Sequence, residues 1–151
     1  MHDSKLMALL KSLSAEEFKN LKKFIKSPFF NTNEQVLNLY RYISKYYPKW
    51  DSRMYSKEIV FREVFPEDKK YNSKKLSNLM SEFSLLTEEF IFQKALNSNS
   101  PEREKIKLHA FAERGLTNSL EKQFKKLNAL LENPANKGLG HYISKFSVNH
   151  M

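Results

Sequence analysis

The four histidines, His2, His109, His141 and His150, form no pair at metal-ligand spacing, and the chain has no cysteine to complete a site. Metal binding and thiol chemistry are therefore not expected. Acids stand side by side at Glu16/Glu17 and Glu88/Glu89. Neighbouring residues of a helix point about 100° apart, so neither pair is set to share a proton or to flank a bond as general acid and base. Dipole stabilisation suits the first pair and a solvated face the second. Tyr71 and Lys75 stand four apart, a spacing some oxidoreductases use. Those enzymes hold their dinucleotide on a glycine-rich strand-to-helix turn, and the only glycines here are at 115, 138 and 140. No serine lies in a nucleophile-elbow context, and no phosphate-binding loop pattern occurs. The expectation is a protein that is not an enzyme and takes no cofactor.

What remains is surface chemistry. On a helix opening at Ser14, Lys19, Lys22, Lys23 and Lys26 fall within about a 100° arc opposite Phe18, Leu21, Phe24 and Ile25. Such a basic ridge suits an acidic protein partner or phosphates, although lysines in a final turn are also what the helix dipole favours. Lys122, Lys125 and Lys126 repeat the arrangement further on. A second candidate is a loose helix-turn-helix between Ser56 and Leu86. At the start of its second helix stand Lys74, Lys75, Ser77 and Asn78, side chains suited to phosphates and base edges in a major groove. A third is the aromatic group of Phe29, Phe30, Tyr46, Tyr47 and Trp50 around two prolines, either a stacking surface or corner packing.

The elements that must carry these side chains are all helical in pattern. Leu6, Leu9, Leu10 and Leu13 make a first stripe, and Ser14 with Glu17 is a capping box opening the second helix, which should stop before Pro28. Thr32 with Gln35 has capping-box spacing and opens a third helix running to Pro48. Ser56 caps a fourth, with Ile59, Val60, Val64 and Phe65 apolar, and Asn72 or Ser73 opens the longest. In that helix Leu76, Leu79, Met80, Phe83, Leu86 and Phe90 share one face. Leu85, Phe92 and Leu96 lie opposite, which predicts an internal spine covered on both sides. Ser100 and Pro101 start a sixth helix ending near Gly115. Leu120, Phe124, Leu127 and Leu131 stripe a seventh, and Tyr142, Ile143 and Phe146 form a last stripe after which the chain stops without a helix-stop signal. Only the stretch between Trp50 and Tyr55 leaves room for a strand.

The fold expected is all-α, a compact bundle of about seven to eight helices with a helical-hairpin array as the option for its C-terminal third. An N-terminal helical domain would span 1–97, including the spine at about 73–97. A C-terminal hairpin, read as shortened, would occupy 101–151 and pack on it. Leu, Ile, Val and Phe make up about 27% of the chain, above the roughly 20% below which chains stay disordered. No apolar run suggests a membrane span or secretory signal. The net charge of +9 is an argument about association rather than fold. The lack of cysteine fits a reducing compartment, so the cytoplasm is the default.

The runs Leu13-Ser14-Ala15-Glu16-Glu17-Phe18, Lys26-Ser27-Pro28-Phe29-Phe30-Asn31 and Lys75-Leu76-Ser77-Asn78-Leu79-Met80-Ser81 resemble uncharacterised helix-rich proteins of Bacteroidetes over roughly residues 5–95. That group is longer and has no established activity, so the resemblance implies a helical fold and assigns no functional residue. The helix-turn-helix followed by helical hairpins also resembles regulators that join a winged helix to tetratricopeptide-type repeats, although the residues diagnostic of such repeats are not present. The leading expectation is a non-enzymatic module that holds a protein partner through its basic ridges or its aromatic corner. A DNA-binding regulator using Lys74, Lys75, Ser77 and Asn78 is the alternative. No membrane partner is expected, and the oligomeric state stays open.

Overall fold

A computed structural model describes residues 1, 3–50, 55–97 and 101–132. Seven helices and no strand occur among the described residues: α1 Lys5–Ser12, α2 Ala15–Lys26, α3 Glu34–Ser44, α4 Lys57–Val64, α5 Ser73–Asn97, α6 Pro101–Glu113 and α7 Thr117–Glu132. The architecture is all-α, as the apolar spacing predicts. The chain divides into two compact units at Phe92/Gln93, inside α5. The 51–54 stretch, the Ser100 cap and the stripe of Tyr142, Ile143 and Phe146 lie outside the described residues.

Short polar side chains start the helices of the first unit. Ser14 closes a full capping box: its backbone N–H donates to Glu17 Oε2 at 2.7 Å, and its hydroxyl accepts from the Glu17 N–H at 3.3 Å. Ser4 accepts from the Met7 N–H, and Ser56 from the Ile59 N–H. The cap of α3 is Asn33 and not Thr32, because Asn31 builds the turn before it. The Asn31 amide donates to the carbonyls of Ile25 and Asn33, and its side-chain oxygen accepts from the Asn33 N–H at 2.9 Å. Asn33 then accepts from the Gln35 N–H at 3.0 Å. α3 also ends at Ser44, short of Pro48, as the chain turns through 45–49 to bring Tyr47 and Trp50 back onto α2.

One continuous apolar core fills the first unit, with Leu6, Met7, Leu10, Leu21, Ile25, Leu39, Ile43, Val60, Leu76 and Phe83 almost wholly buried. Phe18 stacks on Tyr40 and Tyr47, with ring centroids 5.0 and 4.5 Å away, and meets Trp50 edge-on at 5.8 Å. The Tyr40 hydroxyl donates to the Phe18 carbonyl at 2.9 Å. Burial, and then the nearby Tyr47, push the Tyr40 phenol above its ordinary value, so it stays a neutral donor.

The longest helix departs from the expected spine. Its core face carries Leu76, Leu79, Phe83 and Phe90, together with Ser84 and Thr87. Those two hydroxyls donate back to the carbonyls of Met80 and Phe83 at 2.8 Å each, which lets small polar residues sit in the core. Leu85 is 63% exposed and Phe92 55%. The opposite strip of α5 is therefore an outer face within the first unit, since that core is complete on one side of the helix.

In the second unit a small core joins Leu108, Leu127 and Leu131, with Leu120 against it. Gly115 ends α6 in the left-handed region at φ +66°, where a side chain would strain the backbone. The N–H of Leu116 reaches back to the Phe111 carbonyl and that of Gly115 to Ala112, the paired bonds of a Schellman stop. The buried register of α7 differs from the expected stripe: Gln123 is buried and Phe124 is 42% exposed.

Candidate interaction surface

The positions of the lysines sort them into committed and uncommitted charge. Lys5 pairs with Glu88 at 2.7 Å, Lys45 with Glu63 at 3.6 Å, and Lys75 with Asp68 at 2.7 Å. Lys107 and Lys126 both reach Glu104, at 3.4 and 3.2 Å. Lys19, Lys22, Lys23 and Lys26 behave otherwise. All four are exposed on α2, and none makes an ion pair among the described residues. The reason is local. After Glu17 the helix has no acid, and its other side, Phe18, Leu21 and Ile25, is locked into the core.

The second basic ridge is broken up. Lys122 and Lys125 are exposed, while Lys126 is drawn to Glu104. Glu104 has no exposed surface. Gln123 Nε2 donates to its carboxylate as well as to its backbone carbonyl. Burial alone pushes the Glu104 carboxyl up, but the hydrogen bonds from Gln123 and Lys126 and the charges of Lys107 and Lys126 outweigh it and leave the carboxyl below its ordinary value. Neither the charge pattern nor the apolar stripe of α6 marks Glu104 as buried. The only signal is that Gln123 and Leu127 also obey helical spacing, and choosing that register requires knowing what faces it.

The start of α5 presents Lys74, Ser77 and Asn78 to solvent. Lys75 is occupied: besides its bond to Asp68, its ammonium lies 4.3 Å from the Phe65 ring centroid. It ties the α4–α5 connection together, with Asn72 accepting from its backbone N–H at 2.9 Å. The Tyr71 ring packs edge-on against Phe61, so Tyr71 and Lys75 serve two different structural contacts.

The aromatic group splits in two. Tyr47 and Trp50 pack on Phe18, and Tyr46 lies edge-on to Tyr55. Phe30 stacks on Phe24 at 4.0 Å. Phe29 meets Phe30 edge-on at 5.0 Å and is itself 87% exposed. Beside it, Phe30, Asn31, Thr32, Glu82, Leu85, Leu86 and Glu89 line a cleft of about 460 Å³. A second, of about 330 Å³, lies on the other side of Leu85 between Ser4–Leu6 and Ser77–Ser84. Both are shallow surface grooves.

Among the described residues no group of three or more His, Cys, Asp or Glu side chains is placed to hold a metal ion. No described helix is long and apolar enough to cross a membrane. No protein-family model, curated protein or solved structure matches the chain.

Proposed function

We propose that this chain is a non-enzymatic helical interaction module of the cytoplasm, which holds an acidic protein partner along Lys19, Lys22, Lys23 and Lys26. The observation that carries the reading is the concentration of uncommitted charge: four exposed lysines share one face of α2 and none makes an ion pair among the described residues, while Lys5, Lys45, Lys75, Lys107 and Lys126 are held by acids. α2 is anchored by its capping box and by the buried side chains of Phe18, Leu21 and Ile25, so the backbone that carries the ridge is already fixed before a partner arrives. The lysines act as steering charge, which speeds encounter and selects acidic surfaces.

Titrating the purified chain with a polyglutamate peptide and with duplex DNA over a salt series tests the proposal. Polyglutamate binding that Lys19→Glu with Lys22→Glu removes, at an unchanged melting temperature, supports it. Binding indifferent to those substitutions overturns it. Tighter DNA binding that weakens on Lys74→Ala, with log affinity falling steeply in log salt, would move the function to the start of α5.

A further inference from the structure

We propose that the outer face of α5 from Glu82 to Phe92, with Phe29 and Phe30 at its side, is a docking groove for an amphipathic helix of a partner protein, one with apolar anchors and basic flanks. The surface is distinct from the α2 ridge and has the opposite charge preference.

Leu85 and Phe92 are 63% and 55% exposed. They stand seven residues apart, so they align on one face about 10 Å from each other along the axis. The core-facing residues Leu76, Leu79, Phe83 and Phe90 lie roughly opposite. Turning the helix to bury Leu85 would expose Phe83, so the anchors are outside by register and not by loose packing. At their side, Phe30 and Leu86 are among the residues lining the cleft of about 460 Å³. Phe29 projects from a turn that Asn31 bonds to Ile25 and Asn33. A phenylalanine 87% exposed on a turn held by that many hydrogen bonds is a preorganised contact.

The charge around these anchors specifies the partner. From Ser77 to Gln93 the only charged residues of α5 are Glu82, Glu88 and Glu89, in a chain of net charge +9. Glu82 and Glu89 are the acidic residues among those lining the cleft, and Asn33 Nδ2 donates to Glu82 at 2.7 Å. Lys5 answers Glu88 from one side. An apolar groove with carboxylates in its lining takes a helix whose i, i+3, i+4 and i+7 positions are apolar and whose flanks are Lys or Arg. The net positive charge elsewhere repels such a helix from the rest of the surface, which sharpens the choice of groove.

The test uses the full chain and a labelled Leu/Lys amphipathic peptide, with a Leu/Glu peptide as its counterpart, read by fluorescence anisotropy. The Leu/Lys peptide should bind and the Leu/Glu peptide should not. Leu85→Asp or Phe92→Asp should weaken binding roughly tenfold or more at an unchanged melting temperature, since neither side chain supports the core. Glu82→Gln, which keeps an acceptor for Asn33, should weaken it about threefold and flatten its salt dependence. Reversing Lys19 and Lys22 should leave the binding intact or tighter, which separates this groove from the ridge. Equal binding of both peptides, or binding indifferent to Leu85 and Phe92, overturns the proposal. So does a sedimentation profile showing a dimer that Phe92→Asp dissolves, because a second copy would then fill the face.

Discussion

Gln123 of α7 donates its side-chain amide to both the carboxylate and the backbone carbonyl of Glu104 of α6, two groups that see no solvent. Among the described residues of the second unit the core cluster holds three buried apolar side chains, Leu108, Leu127 and Leu131, and the polar clasp joins α6 to α7 beside them. A buried carboxylate is tolerated there because Lys107 and Lys126 reach it from the surface while their own stems stay partly in water.

Breaking the clasp from one side should cost more than removing it whole. Gln123→Leu leaves a buried carboxylate short of a donor, and Glu104→Leu leaves a buried amide without its acceptor. Each should cost about 2 kcal/mol. The double variant should recover more than 1 kcal/mol of the summed loss, because an apolar pair of similar size removes both unmet demands. Urea unfolding of the four proteins measures the coupling, and additive losses would contradict the clasp.

The same carboxyl sets a pH dependence. Its folded-state value lies below the ordinary 4.5, so the ionised form is the one that folding favours. Its stabilisation is complete above that ordinary value and is lost as pH falls from there through the folded value. The stability gap between the natural chain and Glu104→Gln should be flat from about pH 6 to about pH 8 and should shrink below about pH 4.5. Urea midpoints followed by circular dichroism against pH measure it.

Phe18 is the hub of the aromatic corner, and the chain has a single tryptophan, Trp50, to report on it. Phe18→Leu keeps an apolar side chain but removes three ring contacts, at a cost of about 1–3 kcal/mol. The emission of Trp50 should shift to the red as its edge contact is lost. An unmoved spectrum would show that the corner does not depend on Phe18.

At the start of α5 a neutral cap should matter more than an ion pair. Asn72 satisfies the Lys75 N–H, and Asn72→Ala should cost about 1 kcal/mol. The Lys75–Asp68 pair is partly exposed on both sides. Asp68→Asn should cost less than about 0.5 kcal/mol and leave Lys75 over Phe65. Thermal melts of the two variants rank them, and the loss on Asp68→Asn should fade with added salt.

The helices themselves were legible in the order of residues. Ser14 with Glu17, Ser56 and Gly115 are local devices, each completed by atoms within a few positions, so spacing alone placed those helix ends, and it narrowed the start of α5 to Asn72 or Ser73, of which Asn72 makes the cap bond. The ridge of Lys19, Lys22, Lys23 and Lys26 was legible for the same reason: one helix places four side chains on one face regardless of its neighbours. Local pattern failed at Thr32, where the true cap depends on Asn31 reaching back six residues to Ile25.

Tertiary structure alone decided which side of an ambiguous helix is inside. α5 has two apolar strips of similar strength, and only the completed core of the first unit shows that Leu85 and Phe92 stay out. α7 offers Phe124 or Gln123 to its interior, and the choice of Gln123 follows from a carboxylate on another helix, nineteen positions away. Helical periodicity fixes angles between side chains of one helix. Burial depends on what meets that helix in space, and a polar group can take the inner place wherever a partner satisfies it.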